Sequence, residues 1–423
     1  MIFYSTNIFM DIGIIISFIL FSFLMFLAII FIVSRLKKKP SEDINYGFAP
    51  PVSIIIPCHN ESSNIESCLA SVLSQDYVGE TEIIVADDGS IDGTVSKIES
   101  YMKKHGSKLK ILKLKHSGKS ETLNSAIKTA KFDIIMTVDA DIKLSRHTLS
   151  RLVAPLADED VAATNSVAII GKPKGLLEHF QAIEFSMNSI IRTSFSKVFT
   201  SSIWFFGAVA CYKKKILKEV GYMKKDSLTE DMDICLELYN KDYRIVTVEN
   251  SVVTTKACPN VQSLTKQRMR WYYGALQALT KNRSVLKKDS APVRFLYFNQ
   301  YWWTIFAFIF FPMTAYQVYF WFPQGFGEVI SYIFRWFTLA GPFYVLYKLN
   351  GWGLNFMNIF GVMSGIITFL LSLAALKLYR DKLNIFWTII ALFIYFPYTI
   401  LLNFTLICGV IKYRFSKKKY FMN

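Results

Sequence analysis

The most informative acidic residues in this chain of 423 residues are Asp139 and Asp141, which end the stretch DIIMTVDAD over 133–141. Two carboxylates separated by one small residue can both face a hard divalent cation, and such a cation commonly also binds substrate phosphates. The D-x-D spacing is frequent by chance, since 158–160 and 231–233 contain it too. The surrounding sequence therefore has to decide whether these two aspartates form a metal site.

The residues before Asp139 favour such a site, because 134–138 is an almost continuous apolar run, as is typical of a buried parallel strand. Similar runs, each followed by polar residues, occupy 52–56, 82–86 and, interrupted by two lysines, 109–114. Helical segments alternate with these runs, and we predict that the first of them begins at Ser62 or Ser63. The pattern predicts an α/β domain with a mostly parallel sheet.

In such a sheet the carboxyl ends of the strands meet at one edge, where ligands bind. We expect the following polar residues to surround one cleft there: Glu61, Asp87, Asp88, Lys119, Asp139 and Asp141. Carboxylates can bind ribose hydroxyls and base N–H groups, and a cation with a lysine can bind a diphosphate, so the cleft suits a nucleotide sugar. Simpler interpretations remain, because 88–90 is an ordinary turn sequence and 118–120 lacks the upstream glycine of a Walker A motif.

Further along the chain, Leu228-Thr229-Glu230-Asp231 is predicted to begin a helix. Acids in a first helical turn interact favourably with the helix dipole, so helix capping is the simpler interpretation. The functional interpretation is a general base, since a sugar hydroxyl that attacks a donor must lose its proton and a positioned carboxylate can accept it.

The sequence QRMRW over 267–271 is the second signal in this part of the chain. Arg268 and Arg270 can each bind phosphate oxygens with two hydrogen bonds, and Trp271 offers a flat apolar face to a sugar ring. The alternative is an amphipathic helix that lies at a membrane interface.

The composition indicates a membrane protein, because 52% of the residues are hydrophobic, 16% are aromatic and the mean hydropathy is +0.30. The apolar run 14–33 is long enough to cross a bilayer, and basic residues follow it at 35–39. A signal peptide would carry its charges before a shorter run, so we favour a retained anchor with the N-terminus outside. Further spans are predicted near 296–321, 329–347, 353–376 and 385–411.

We therefore predict four regions: an anchor over 1–39, a cytosolic α/β domain over 40–260, an amphipathic interface segment with QRMRW over 261–294, and a membrane bundle with a basic tail over 295–423. The six cysteines have no metal-binding spacing, which favours reduced thiols. The net charge of +16 is dispersed and accompanies no nucleic-acid motif, so no nucleic-acid partner is expected.

Four short motifs together resemble glycosyltransferase family 2, whose members have the GT-A fold: PCHNE at 57–61, ADDGS at 86–90, GK at 118–119 and VDAD at 138–141. The resemblance implies that Asp87 or Asp88 contacts a uridine, while Asp139 and Asp141 contact ribose and a diphosphate bound through Mg²⁺ or Mn²⁺. It further implies a base at Asp231 beside Glu230, donor contacts from Glu61, Lys119, Gln267, Arg268 and Arg270, and acceptor contacts from Trp271, Phe206 and Gly207.

The Q-x-x-R-W sequence and the membrane layout resemble the processive members of this family, which make β-linked polysaccharides such as poly-β-1,6-N-acetylglucosamine. This resemblance implies an inverting, plasma-membrane enzyme that adds sugars from a UDP-sugar, first of all UDP-N-acetylglucosamine, to a growing polysaccharide. Its expected partners are the lipid bilayer and a small membrane accessory subunit. Three alternatives stay open: a non-processive transferase acting on a lipid carrier, a hyaluronan- or chitin-type synthase, and a non-catalytic membrane partner.

Overall fold

The computed structural model of the chain describes residues 8–37, 47–105, 108–204, 207–321, 325–327, 329–330, 338–352, 356–379 and 384–415. The strands are β1 Val52–Cys58, β2 Thr81–Asp87, β3 Leu109–Lys113, β4 Ile134–Val138, β5 Lys143–Leu144, β6 Val161–Ile170, β7 Val209–Lys213 and β8 Arg244–Thr255. The α-helices are α1 Ile8–Leu36, α2 Ile65–Leu73, α3 Thr94–His105, α4 Lys119–Thr129, α5 Thr148–Val153, α6 Leu176–Phe199, α7 Lys214–Glu219, α8 Glu230–Asn240, α9 Val261–Lys281, α10 Ala291–Trp321, α11 Ala340–Trp352, α12 Phe356–Tyr379, α13 Ile385–Phe393 and α14 Tyr395–Phe415. Short 3₁₀ helices occupy Ala154–Ala157 and Arg283–Lys287.

The strands form one eight-stranded sheet in the order β3-β2-β1-β4-β7-β6-β8-β5. Strands β1 to β4 run parallel, β6 and β8 are also parallel, and β7 is antiparallel to both of its neighbours. Every residue of β1 and β4 is buried, which explains why their sequences are apolar without alternation. The predicted α/β fold with a mostly parallel sheet is confirmed, including its first four strands.

The first helix of the domain begins later than predicted, at Ile65 rather than at Ser62 or Ser63. The Glu61 carbonyl accepts hydrogen bonds from the N–H groups of Asn64 (2.9 Å) and Ile65 (3.0 Å), so the chain forms a turn before the helix. The N–H of Ser62 donates to Asp92 Oδ2 at 3.0 Å, which keeps this serine in the turn. Ser62 therefore lies in a loop, although serine is a favourable N-cap residue.

Three helices in the described residues are long and apolar enough to cross a bilayer: Ile12–Leu36, Ile359–Tyr379 and Tyr395–Phe415. They indicate a membrane protein, and the first contains the predicted anchor 14–33. Aromatic contacts join the first of these helices to the domain, such as that of Phe26 in α1 with Phe195 in α6, whose ring centroids are 6.1 Å apart.

The span predicted at 385–411 is wrong as a single helix, because the chain divides there into α13 and α14. Pro397 has no N–H to donate to the carbonyl of Phe393, four residues earlier. That carbonyl instead accepts the N–H of Leu339 at 2.8 Å. The spans 296–321 and 353–376 correspond to parts of α10 and α12, while part of 329–347 and the end of the basic tail lie outside the described residues.

Candidate active site

An ion-paired cluster forms where β4 ends and where α4 and α8 begin. Lys119 Nζ lies 2.8 Å from Asp139 Oδ1 and 2.9 Å from Glu230 Oε1. Burial alone would lower the pKa of Lys119, but the two carboxylates outweigh it and the pKa is raised. Gly118 precedes the helix with a φ of 91°, a conformation that glycine adopts without strain. The cluster therefore holds a charged ammonium group between two motifs that are more than 90 residues apart in the sequence.

The surroundings of the carboxylates at 139 and 141 favour the binding of a cation. Burial raises the pKa of Asp139 to about 6, the charges of Asp141 and Glu230 add to the rise, and Lys119 opposes it. Asp141 Oδ2 accepts a hydrogen bond from Thr255 Oγ1 at 3.2 Å, which leaves its other carboxylate oxygen available. This crowding of negative charge on hard oxygen ligands fits Mg²⁺ or Mn²⁺. Asp139 and Asp141 are the residues that would hold the ion.

Glu61 lies on the same edge of the sheet. Burial raises its pKa, a hydrogen bond from Asn64 (2.6 Å between Asn64 Nδ2 and Glu61 Oε2) opposes the rise, and the charge of Asp141 contributes to it. The structure thus brings Glu61 together with the aspartate pair, as the topology predicted.

The pair Asp87 and Asp88 is buried at the end of β2 and organises the neighbouring loops. Asp88 Oδ1 accepts the N–H of Ser117 at 2.7 Å, and Oδ2 accepts that of Gly118 at 3.0 Å. Although burial would raise the pKa of Asp88, these backbone hydrogen bonds outweigh it and the pKa is lowered. Asp87 Oδ2 accepts the N–H of Ser90 at 3.2 Å. Hydrogen bonds from the neighbouring loops thus hold both carboxylates in place, and the lowered pKa keeps Asp88 ionised.

The two neighbouring acids at the start of α8 have opposite electrostatic environments. Burial raises the pKa of Asp231, and the adjacent charge of Glu230 raises it further. Burial would also raise the pKa of Glu230, but the ammonium of Lys119 outweighs it, so this pKa is lowered. Such a division is typical of sites in which one carboxylate transfers a proton and another provides fixed charge.

Asp231 is oriented by two backbone groups. Its Oδ1 accepts the N–H of Met232 at 2.9 Å, and its Oδ2 accepts the N–H of Gly207 at 3.1 Å. A Cβ atom at Gly207 would lie 2.3 Å from the Cβ of Asp231, so only glycine fits this position. The predicted residue Gly207 therefore contacts the candidate base, whereas Phe206 lies outside the described residues.

Gly207→Ala is expected to lower kcat by about 100-fold, because the new methyl group displaces the Asp231 carboxylate by roughly the ångström that such a loss requires. The protein should still fold, since the change adds one methyl group at the edge of the cleft. The matched control is Gly175→Ala, where an added Cβ meets no atom within 4 Å. Steady-state kinetics on both purified variants test this expectation, and equal rates would contradict the positioning of Asp231 by Gly207.

The QRMRW sequence lies within α9, and its two arginines face different surroundings. Arg270 is exposed, its Nη1 lies 3.5 Å from the carbonyl oxygen of Leu228, and its charge contributes to the low pKa of Glu230. Arg268 is only 1% exposed, and among the described residues its polar contacts are Glu184 Oε2, 2.8 Å from Nη2, and Gln267 Oε1. The structure brings Arg270 toward the acidic cluster, but it places Arg268 and its partner Gln267 elsewhere.

Trp271 is covered on one face, because the guanidinium carbon of Arg268 lies 4.2 Å from its ring centroid. Phe185 packs beside it, with ring centroids 6.3 Å apart. The Tyr398 hydroxyl of α14 donates to the same oxygen of Glu184 that Arg268 binds. A buried ion pair therefore joins α6, the QRMRW helix and an apolar membrane helix.

Glu184→Ala is expected to destabilise the protein by about 3–5 kcal/mol, because it leaves the buried charge of Arg268 unpaired. The surface pair Glu66–Lys97, at 3.7 Å, provides the control, and Glu66→Ala should cost about 0.5 kcal/mol or less. Thermal unfolding in detergent measures both variants. Equal thermal-unfolding midpoints for Glu184→Ala and Glu66→Ala would show that the buried ion pair does not hold these helices together.

Sequence reasoning missed Glu184, Thr255 and the contact between α9 and the TED motif. A Cβ at Gly274 would lie 2.6 Å from Thr229 Cγ2, so this glycine lets α9 approach the start of α8 closely. A glycine inside an otherwise helical pattern is a signal that could have revealed this approach. Glu184 and Thr255 have no comparable signal, because their partners Arg268 and Asp141 lie 84 and 114 residues away.

Residues 53–221 match a family model described as Glycosyl transferase family 2. These residues form a glycosyltransferase domain of this family. Among the curated relatives of this glycosyltransferase, a poly-β-1,6-N-acetyl-D-glucosamine synthase of Staphylococcus epidermidis is 30% identical over 257 residues, which are 59% of this chain and 60% of the relative. The corresponding synthase of Staphylococcus aureus strain COL is 29% identical over 270 residues, which are 63% and 64% of the two chains. The match thus spans less than two thirds of the length of these relatives.

A solved mannosyltransferase of Pyrobaculum calidifontis, in complex with GDP-Man and Mn²⁺, has a similar fold. The TM-score is 0.62, and the alignment covers 96% of this family 2 glycosyltransferase and 99% of the other chain at 20% identity. At that identity the likeness establishes the GT-A type fold alone.

Proposed function

We propose that this glycosyltransferase is an inverting, processive enzyme that adds sugars from UDP-N-acetylglucosamine to a β-linked polysaccharide at the membrane. The observation that carries the proposal is the contact of Lys119 with both Asp139 and Glu230, because it joins the candidate diphosphate site to the motif that contains Asp231. The similarity to poly-β-1,6-N-acetylglucosamine synthases supports the choice of donor and product.

On the donor side, Asp87 or Asp88 contacts the uridine, while Asp139 and Asp141 would hold a divalent cation. The cation, when bound, supplies a Lewis acid that stabilises negative charge on the leaving diphosphate. Lys119 adds a fixed positive charge to the same group. These charges act together because the C1–O bond to UDP breaks with the electron pair moving to the phosphate oxygen.

Arg270 completes the donor side in this proposal. Its side chain is exposed and contributes to the low pKa of Glu230, so its charge reaches the cluster that holds Lys119. A guanidinium group can donate two parallel hydrogen bonds to a phosphate. Arg268 has a structural role instead, because it is paired with Glu184 and supports the helix that carries Arg270 and Trp271.

On the acceptor side, Asp231 accepts the proton of the attacking hydroxyl as the new bond to C1 forms. Attack from the face opposite UDP converts an α-linked donor into a β-glycoside. The raised pKa of Asp231 makes it a better proton acceptor than an ordinary aspartate. Gly207 and Trp271 lie on the acceptor side, where Trp271 can support a sugar ring.

The rate is expected to fall as the pH falls through the raised pKa of Asp231, because a protonated base cannot accept the hydroxyl proton. An ordinary aspartate titrates near pH 4. The fall of kcat on the acid side of the profile should therefore occur at a higher pH than that. A pH–kcat profile at saturating donor and cation measures it. A rate that stays constant down to that range would contradict a base with a raised pKa.

The membrane arrangement follows from the basic residues after α1. We place the N-terminus outside the plasma membrane and the glycosyltransferase domain, over 40–260, in the cytosol where UDP-sugars are available. The segment 261–294 joins this domain to the bundle over 295–423, and the polymer leaves through that bundle, with a small accessory subunit as a further partner.

Product length tests the processive part of the proposal. Purified protein in lipid nanodiscs would receive labelled UDP-N-acetylglucosamine and Mn²⁺, and the products would be sized during the first few per cent of donor consumption. We expect long polymers beside unextended acceptor at this early stage. Single-sugar products on a lipid carrier would contradict processivity and support a lipid-directed transferase, and polymer formed only with two different donors would indicate hyaluronan-type chemistry.

A further inference from the structure

Two histidines meet Asp88 beside the candidate donor site. The imidazole rings of His59 and His116 are stacked, with centroids 4.4 Å apart and an angle of 28° between the planes. One candidate ligand atom from each of His59, Asp88 and His116 lies within 4.8 Å of the other two. The three residues come from the loops after β1, β2 and β3, so the sheet topology itself assembles the cluster.

The contacts within the cluster direct both rings at Asp88. His59 Nδ1 lies 2.8 Å from the carbonyl oxygen of Asp88, and His116 Nδ1 lies 3.0 Å from its Oδ2. The side chain of Asn60 contacts the other nitrogen of His59 at 3.1 Å and so helps to orient that ring. Asp88 itself is 4% exposed and is held by backbone N–H groups, whereas both histidines are exposed. The cluster is thus ordered on its inner side and open to solvent on its outer side.

Two imidazoles and one carboxylate are a ligand set that Zn²⁺ and similar transition ions use when a fourth position stays open to water. Mg²⁺ and Mn²⁺ prefer the oxygen ligands of Asp139 and Asp141 instead. The chain therefore offers two sites of different chemistry at one edge of the sheet.

We propose that His59, Asp88 and His116 form a second metal site, which takes a transition ion such as Zn²⁺ and whose occupation excludes the nucleoside of the donor. The exclusion rests on the proposed function, in which Asp87 or Asp88 contacts the uridine. An ion bound to the Asp88 carboxylate and to two flanking rings occupies the space that a base would need. Zinc would then inhibit the enzyme at a site distinct from the one that binds the catalytic cation.

Metal binding alone tests the site without any sugar transfer. The full chain, purified in detergent and stripped with chelator, would be titrated with Co²⁺ while its visible d–d absorption is recorded. We expect nitrogen-ligated absorption that His59→Gln and His116→Gln each weaken at least tenfold in affinity, and that Asp141→Asn leaves in place. The control His147→Gln removes an exposed histidine that pairs with Asp76 elsewhere on the domain and should change nothing. Absorption that survives both cluster substitutions would overturn the site.

Competition tests the exclusion of the nucleoside. In saturating Mn²⁺, added Zn²⁺ should raise the Kd for UDP at least tenfold in the wild-type protein, and it should have no such effect in the His59→Gln/His116→Gln double variant. An unchanged Kd for UDP in the wild type, with Co²⁺ still bound, would refute the exclusion. If the protein binds Co²⁺ through these histidines but shows no transferase activity with any donor, the second metal site is supported and the proposed function is contradicted.

Discussion

Asp231→Asn is expected to abolish sugar transfer, lowering kcat by about 10²–10⁴-fold, the range that a general base commonly contributes. Asparagine has nearly the same size and can still accept one of the hydrogen bonds from Gly207 and Met232, but its amide cannot take the hydroxyl proton. The loss should therefore appear in kcat, while the affinity for UDP stays within about twofold.

Binding of UDP to the variant, measured by calorimetry in the presence of Mn²⁺, is the control for this prediction. Normal UDP affinity with no transfer would assign Asp231 to the chemical step. A variant that polymerises at the wild-type rate would refute the base assignment. The neighbouring Glu230 provides a contrast, because its pairing with Lys119 predicts that Glu230→Gln weakens donor binding as well as the rate.

Asp141→Asn is expected to have the second largest effect, lowering the rate by at least about 100-fold and raising the Mn²⁺ concentration needed for half-maximal activity at least tenfold. The substitution removes a charged ligand from the candidate cation site, and the leaving diphosphate then loses much of its electrostatic stabilisation. The hydrogen bond from Thr255 Oγ1 shows that the side chain of Asp141 is held in place rather than free on the surface.

The chain supplies a matched control for this variant in the second D-x-D sequence at 158–160. Asp160 occupies the same second position of that motif as Asp141 does in its own, but its side chain is 80% exposed. Asp160→Asn should therefore leave both the rate and the Mn²⁺ requirement unchanged. Activity measured against Mn²⁺ concentration compares the two variants. The same Mn²⁺ dependence in both would show that Asp141 does not bind the ion.

The sequence allowed the strands and their acidic ends to be predicted, because buried parallel strands need continuous apolar residues and their connections place the strand ends at one edge. For this reason the sequence alone predicts that Asp88, Lys119 and Asp139 lie at one edge of the sheet. The cluster at Lys119 also includes Glu230, whose proximity depends on α8 and could be anticipated only through the family resemblance.

The partners of the QRMRW helix could not be predicted in the same way. The sequence does not reveal which face of α9 another element covers, so Arg268 and Arg270 were equivalent until Glu184 was seen to pair with one of them. The break before α14 differs, because Pro397 is a local signal for it. The partner of the freed Phe393 carbonyl, the N–H of Leu339, lies in a distant segment. The partners of Arg268 and of this carbonyl thus depend on contacts across long sequence separations, which local patterns do not encode.

Nucleotide release by the purified protein in nanodiscs tests the central claim most directly, using UDP-N-acetylglucosamine, other UDP-sugars and GDP-mannose as separate donors. We predict release of UDP from UDP-N-acetylglucosamine as the single donor, dependent on Mn²⁺ or Mg²⁺, abolished by chelator and absent in Asp231→Asn. Release of GDP from GDP-mannose in place of this activity, or UDP release that persists in Asp231→Asn and in chelator, would contradict the account.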